Sequence, residues 1–229
     1  MARKKTNVAL IRGLIIGAVA LLGIVVVGYG VLYSQGVTQG EFVAGEHYTV
    51  LENAERRRPG APIKVQEFFS YACIHCKNFQ PDVDSWLPTK PDNVVYERVP
   101  VVFSPAWGFL AQTYYTFETL DVLDENHDRM FRAIHNARRS FSSPEDLAEF
   151  VDGNGASAEE FLEAFKGGEV RLRVRNGTNL QRDFGISATP TLVVAGKYMV
   201  TMDVGPAVAL EVVDHLIALE SGEAPASPG

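Results

Sequence analysis

One stretch constrains the fold of this chain more than any other: Val65-Gln-Glu-Phe-Phe-Ser-Tyr-Ala-Cys-Ile-His-Cys-Lys-Asn-Phe79. Ahead of the cysteines the pattern alternates, so Ile63, Val65, Glu67 and Phe69 fall on one face of an extended strand. After Ser70 and Tyr71 the apolar spacing changes to Phe79, Val83 and Trp86, which is the spacing of a helix. Cys73 and Cys76 therefore stand where a strand turns into a helix, at the helix N-terminus.

Those are the only cysteines in the 229 residues. With two residues between them they close a loop too small to restrain the unfolded chain, so their disulfide is suited to exchange rather than to stability. Exchange proceeds through a thiolate, and the free amides and partial positive charge of a helix N-terminus favour an anionic sulfur. Cys73, at the outer end, is expected to be the nucleophile, and Cys76, one turn further in, the resolving thiol. His75 adds positive charge or a hydrogen bond beside the thiolate. Haem attachment would need histidine where Lys77 stands. Zinc would need two more ligands from His47, His127, His135 or His215, none of them in a paired spacing, so no metal is expected.

Two further residues carry weight. Glu67 is in phase with Ile63, Val65 and Phe69, so its carboxylate is expected to be at least partly buried, six residues before Cys73, where it can exchange protons with Cys76. Its alternative is a solvated side chain on a strand of opposite phase. Thr189-Pro190 stands at the start of a strand well downstream; such a proline can take the cis bond of a sharp turn, although a trans loop proline is the commoner case.

Around this unit the chain is expected to be a mixed α/β domain. Tyr48 to Leu51 is expected to be an edge strand, and Asn93 to Val102 a third strand limited by Pro100. Between Ser104 and Phe184 no strand is expected. Trp107, Leu110, Tyr114 and Phe117 share a helical face, and Ser143-Pro-Glu-Asp146 and Ser157-Ala-Glu-Glu160 are capping-box signatures that open further helices. Residues 169–184 are expected to be helical despite Asn176-Gly177. Two short strands around Ala195-Gly196 and a last helix opened by Gly205-Pro206, with Leu210, Val213 and Ile217 inward, complete the domain.

The N-terminus is of a different kind. Residues 13–33 are 21 positions without a charge, preceded by Arg3, Lys4, Lys5 and Arg12. At ~1.5 Å per residue such a helix spans a bilayer core. A retained transmembrane signal anchor is preferred over a cleaved signal peptide, because Tyr29, Leu32 and Tyr33 crowd the exit where small residues would be cut. The basic cluster stays in the cytoplasm, so everything after residue 33 is exported. The formal charge is −7, and without those four cations the remainder carries −11, which argues against a nucleic-acid partner. The expected division is 1–12 cytoplasmic, 13–33 anchor, 34–45 stalk, 46–103 first part of the catalytic domain, 104–168 helical insertion, 169–221 second part, and 222–229 tail.

Taken together, Val65 to Phe79, Glu46 to Leu51, and Ile186 to Tyr198 around Pro190 resemble the DsbA family of periplasmic thiol–disulfide oxidases. The resemblance implies a thioredoxin fold interrupted by a helical domain, an acid like Glu67 beneath the active site, and a cis-proline loop like Thr189-Pro190 facing the nucleophile and pairing with extended substrate peptides. It also implies reduced or unfolded exported proteins as clients, a DsbB-like quinone-linked membrane oxidase as partner, and no cofactor beyond the cysteine pair. A monomer is the default expectation. Many members have proline where this chain has Ile74, which puts the oxidising strength in question. A reductase or isomerase of the same fold, and an anchored peptide-binding or assembly factor without catalysis, are the alternative readings.

Overall fold

The computed structural model describes residues 13, 15–28, 42–52, 57–58 and 60–222. Expectations for residues 1–12, for 14 and 29–33 of the anchor, for 34–41 of the stalk and for 223–229 of the tail lie outside the described residues. Residues 13 and 15–28 are helical and almost all exposed. Among the described residues no helix is long and apolar enough to cross a membrane. Phe42–Ala226 is a compact unit of its own and holds the sheet.

Five strands form one mixed sheet: β1 (Thr49–Val50), β2 (Ile63–Phe69), β3 (Val94–Pro100), β4 (Thr191–Val194) and β5 (Tyr198–Thr201), in the order β1-β5-β4-β2-β3. β2 is an interior strand, parallel to β3 and antiparallel to β4, with Glu67 opposite Arg98 on one side and Leu192 on the other. Between β4 and β5 both Ala195 and Gly196 have positive φ, a conformation glycine adopts without steric cost and alanine does not.

The helices are α1 (Ile74–Trp86), α2 (Pro105–Thr119), α3 (Leu123–His135), α4 (Pro144–Val151), α5 (Ala158–Phe165), α6 (Gly168–Asp183) and α7 (Pro206–Ser221). Both expected capping boxes form, Ser143 with Asp146 and Ser157 with Glu160. α3 is different: Val122 at its N-cap offers no side-chain hydrogen bond, and its buried face includes Asn126 and His127 beside Met130 and Phe131.

Because β2 is flanked on both sides, its side chains feed three apolar clusters. Ile63 and Val65 pack with Phe79 and Val83 of α1 and with Val213 and Leu216 of α7. Phe68 points to the opposite face, against Val99, Ile186 and Val193. Phe69 and Tyr71 belong to the core of the helical insertion, with Tyr114, Phe117 and Phe131. The Trp86 indole N–H donates to Asp214 Oδ1 at 2.8 Å, tying α1 to α7.

The Asn176-Gly177 step has a packing reason. α6 lies against α2 and β3, and a Cβ at Gly177 would stand 2.6 Å from Tyr115 Oη and 3.4 Å from Val99 Cγ1. A side chain there would require the Tyr115 ring or the helix itself to shift.

Candidate active site

At the end of β2 the chain makes a short turn through Ser70 and Tyr71, and Cys73 becomes the N-cap of α1 with an extended backbone (φ −90°, ψ 116°). Its sulfur occupies the place that a capping oxygen usually fills, and the Cys76 amide donates to Sγ at 3.3 Å. Both cysteines are free thiols. Cys73 is 8% exposed and Cys76 1% exposed, so the outer cysteine is the more accessible of the two.

The two thiols are driven in opposite directions. Cys73 is lowered from 9.0 to about 5, first by a hydrogen bond from the Cys76 thiol, against the effect of burial, and further by the Thr189 side chain and the amides of Cys76 and His75. Cys76 is pushed far up, chiefly by burial, then by donating its proton to Cys73 and by the negative charges of Cys73 and Glu67. A pair of titratable groups whose surroundings separate them in this way divides into a nucleophile and a proton holder.

Thr189-Pro190 is cis, and the Thr189 carbonyl oxygen lies 3.5 Å from Cys73 Sγ. That oxygen accepts from the protonated thiol, whereas the Thr189 side chain favours the thiolate. His75 is exposed, and its backbone amide is among the groups that lower the Cys73 thiol.

Glu67 is 2% exposed, as its strand phase predicts. It is not alone there. Arg98 Nε lies 3.3 Å from Glu67 Oε2, and the Tyr96 hydroxyl donates to the same oxygen. Burial raises the carboxyl above its ordinary value, while Arg98 and Tyr96 pull it down. Both partners come from β3, where alternation sets them on the Glu67 side of the parallel pair.

Sequence reasoning passed over Tyr96, Arg98 and the surroundings of Tyr71. His127 Nδ1 is 2.9 Å from the Tyr71 hydroxyl, and His135 Nε2 donates to the Tyr71 carbonyl oxygen at 2.8 Å. His127 and His135 belong to the polar scaffold under the active-site turn. Among the described residues no three His, Cys, Asp or Glu side chains gather closely enough to hold a metal ion.

A mixed sheet with a Cys-x-x-Cys pair at the helix mouth after an interior strand, opposite a cis-proline loop, defines a thiol–disulfide oxidoreductase of the thioredoxin fold. Residues 96–217 match the family model of the DSBA-like thioredoxin domain. The thiol:disulfide interchange protein DsbA of Azotobacter vinelandii is 31% identical over 211 residues, covering 91% of this chain and 98% of that protein. The crystal structure of Pseudomonas aeruginosa DsbA superposes with a TM-score of 0.75 at 30% identity, covering 79% of this chain and 95% of the other, and DsbA from Xylella fastidiosa with 0.74 at 31%, covering 79% and 98%. The chain belongs to the DsbA family.

Proposed function

We propose that this protein introduces disulfide bonds into exported proteins, with Cys73 as the exchanging sulfur and Cys76 as its resolving partner. The observation that carries the reading is the Cys73 sulfur at the mouth of α1, hydrogen-bonded by the Cys76 amide and facing Thr189.

In the forward step a client thiolate attacks Sγ of Cys73 in the Cys73–Cys76 disulfide. A client–Cys73 bond forms, and Cys76 leaves and takes a proton, with Glu67 the nearest buried acid acting on it electrostatically. The second client thiolate then attacks the client sulfur and expels Cys73 as a thiolate. The client loses two electrons and two protons; one proton resides on Cys76, and the other goes to solvent because Cys73 stays ionised. Stabilising that thiolate favours the reduced enzyme and so drives client oxidation. Thr189 and Pro190 present backbone to an extended client beside the sulfur, a form of β-augmentation that reads little side-chain sequence. His75 contributes its amide to the thiolate.

By family likeness the reduced enzyme is reoxidised by a DsbB-like, quinone-linked membrane oxidase. No bound cofactor is needed, since the cysteine pair carries both electrons. Residues 13–33 serve as a signal anchor that keeps the catalytic body, 46–103 with 169–221 and its helical insertion 104–168, on the exported side. The uncharged run and its basic flank support this assignment. Extraction of membranes at alkaline pH tests it: an anchored chain stays in the pellet, and release into the supernatant refutes the anchor.

The test of the thiol roles is a trapping experiment in cells. Cys76→Ser is expected to accumulate mixed disulfides with clients through Cys73, and Cys73→Ser to abolish turnover. If Cys76→Ser yields no adducts while the wild type oxidises a reduced test protein, the roles are wrongly assigned.

A further inference from the structure

Beneath the turn runs a buried polar chain that the exchange steps leave unused. His127, on α3 of the helical insertion, has both ring nitrogens partnered: Nδ1 with the Tyr71 hydroxyl at 2.9 Å and Nε2 with Gln80 Oε1 at 3.0 Å. Tyr71 precedes Cys73 by two residues, and Gln80 lies on α1, one turn beyond Cys76. One imidazole from a separate helix therefore grips the chain on both sides of the cysteine pair.

The chain has a single self-consistent sense. Gln80 Nε2 donates to Asp84 Oδ1 at 2.6 Å, and a carboxylate only accepts, so the orientation of the Gln80 amide is fixed. Its carbonyl oxygen then faces His127 and requires a donor, which places the ring proton on Nε2. Burial, with the charge of Arg98 adding to it, holds the imidazole well below its ordinary value, so the ring is neutral and Nδ1 is bare. Nδ1 accepts from the Tyr71 hydroxyl. Each group from Tyr71 to His127, Gln80 and Asp84 donates to the next.

We infer that His127 is a positioning residue for the redox turn, bracing the loop before Cys73 against the second turn of α1 so that the Cys76 amide stays on the Cys73 sulfur. The geometry explains why a brace matters at this point. The amide-to-sulfur distance is 3.3 Å, and the two groups it joins lie inside the span gripped by His127. If α1 slides or rotates against the loop, this contact lengthens and bends, and hydrogen bonds weaken steeply as they do. An apolar ring of similar size would fill the volume but leave the Tyr71 hydroxyl and the Gln80 carbonyl without a partner in a buried place.

The inference rests on Cys73 being the low-titrating thiol, and the experiment separates the two. In the detergent-solubilised full chain, the Cys73 thiolate is titrated by ultraviolet absorbance, and the dithiol is equilibrated with glutathione. A wild-type midpoint near that of a free thiol would overturn the reading of the site and this inference with it. With a low wild-type midpoint, His127→Phe is expected to raise it by about half a unit, a ~3-fold loss of thiolate stabilisation, and to shift the glutathione equilibrium ~3-fold toward the disulfide. His127→Gln, whose amide can donate to Gln80 and accept from Tyr71, is expected to restore most of that shift. If His127→Phe lowers unfolding stability yet leaves midpoint and equilibrium unmoved, or if the Phe and Gln variants move them equally, His127 only fills space. Should His127→Phe fail to fold, Tyr71→Phe removes the hydroxyl donor alone, and an unchanged Cys73 midpoint in that variant overturns the inference.

Discussion

Acidifying the reduced protein removes the charge from the Cys73 sulfur, and the structure sets how much stability goes with it. The groups around that sulfur bring its thiol from 9.0 to about 5. At ~1.36 kcal/mol per unit this corresponds to about 5 kcal/mol as an upper bound. Solvent screening discounts that figure, and about half, ~2–3 kcal/mol, is the working expectation. The folded-state value is depressed, so the contribution is complete above the unfolded thiol's value of about 8.5 and is lost as the pH falls through about 5. The oxidised protein has no such group. Denaturant unfolding of both forms from acid to mildly alkaline pH should therefore show the reduced form gaining on the oxidised form between about pH 5 and 8.5. The same titration appears in the reduction potential. Reduction takes up two electrons and, because Cys76 keeps its proton, one proton above about pH 5 and two below it. The potential should fall by about 30 mV per pH unit in the upper range and ~59 mV in the lower. A slope of ~59 mV running through pH 5 to 8, with a flat stability difference, would mean that Cys73 is protonated throughout and that the account of the helix mouth is wrong.

Two other perturbations probe the scaffold. Arg98→Leu leaves the Glu67 carboxylate in the core without its cation and should cost about 3–5 kcal/mol at neutral pH by denaturant unfolding. That loss should shrink on acidification as the raised Glu67 carboxyl takes up a proton, and should largely vanish when Glu67→Leu is added; a loss indifferent to both would assign the cost to packing. Gly177→Ala, worth about 1 kcal/mol of gain in an open helix, should instead destabilise by about 1 kcal/mol or more, because the new Cβ meets Tyr115. A rise in melting temperature would refute the close approach of α6 to α2.

Much of the fold was legible because local chemistry announced it. The strand phase that buries Glu67, the capping boxes at Ser143 and Ser157, and the Gly205-Pro206 start of α7 are all short-range signals, and each has its counterpart in the structure. α3 was not separately legible. It lacks a capping side chain, and its inward face mixes Asn126 and His127 with apolar residues, which blurs the periodicity. The surroundings of the site were hidden for another reason. Tyr96 and Arg98 alternate on β3 like any strand residues, and only the parallel register with β2 brings them to Glu67. His127 showed in the sequence as a possible metal ligand without a paired spacing, because its partners Tyr71 and Gln80 are 56 and 47 residues away.

β2 has a consequence that reaches from assembly to activity. Val65, Glu67, Phe68 and Phe69 each answer to a different neighbourhood, and the cysteine turn hangs from the end of the same seven residues. A pairing slip of one position would turn every one of them to the wrong side, setting the carboxylate where Phe68 belongs and carrying the thiols away from Pro190. A misassembled copy would therefore keep its two thiols but lose the helix mouth and the Thr189 contact that set them apart.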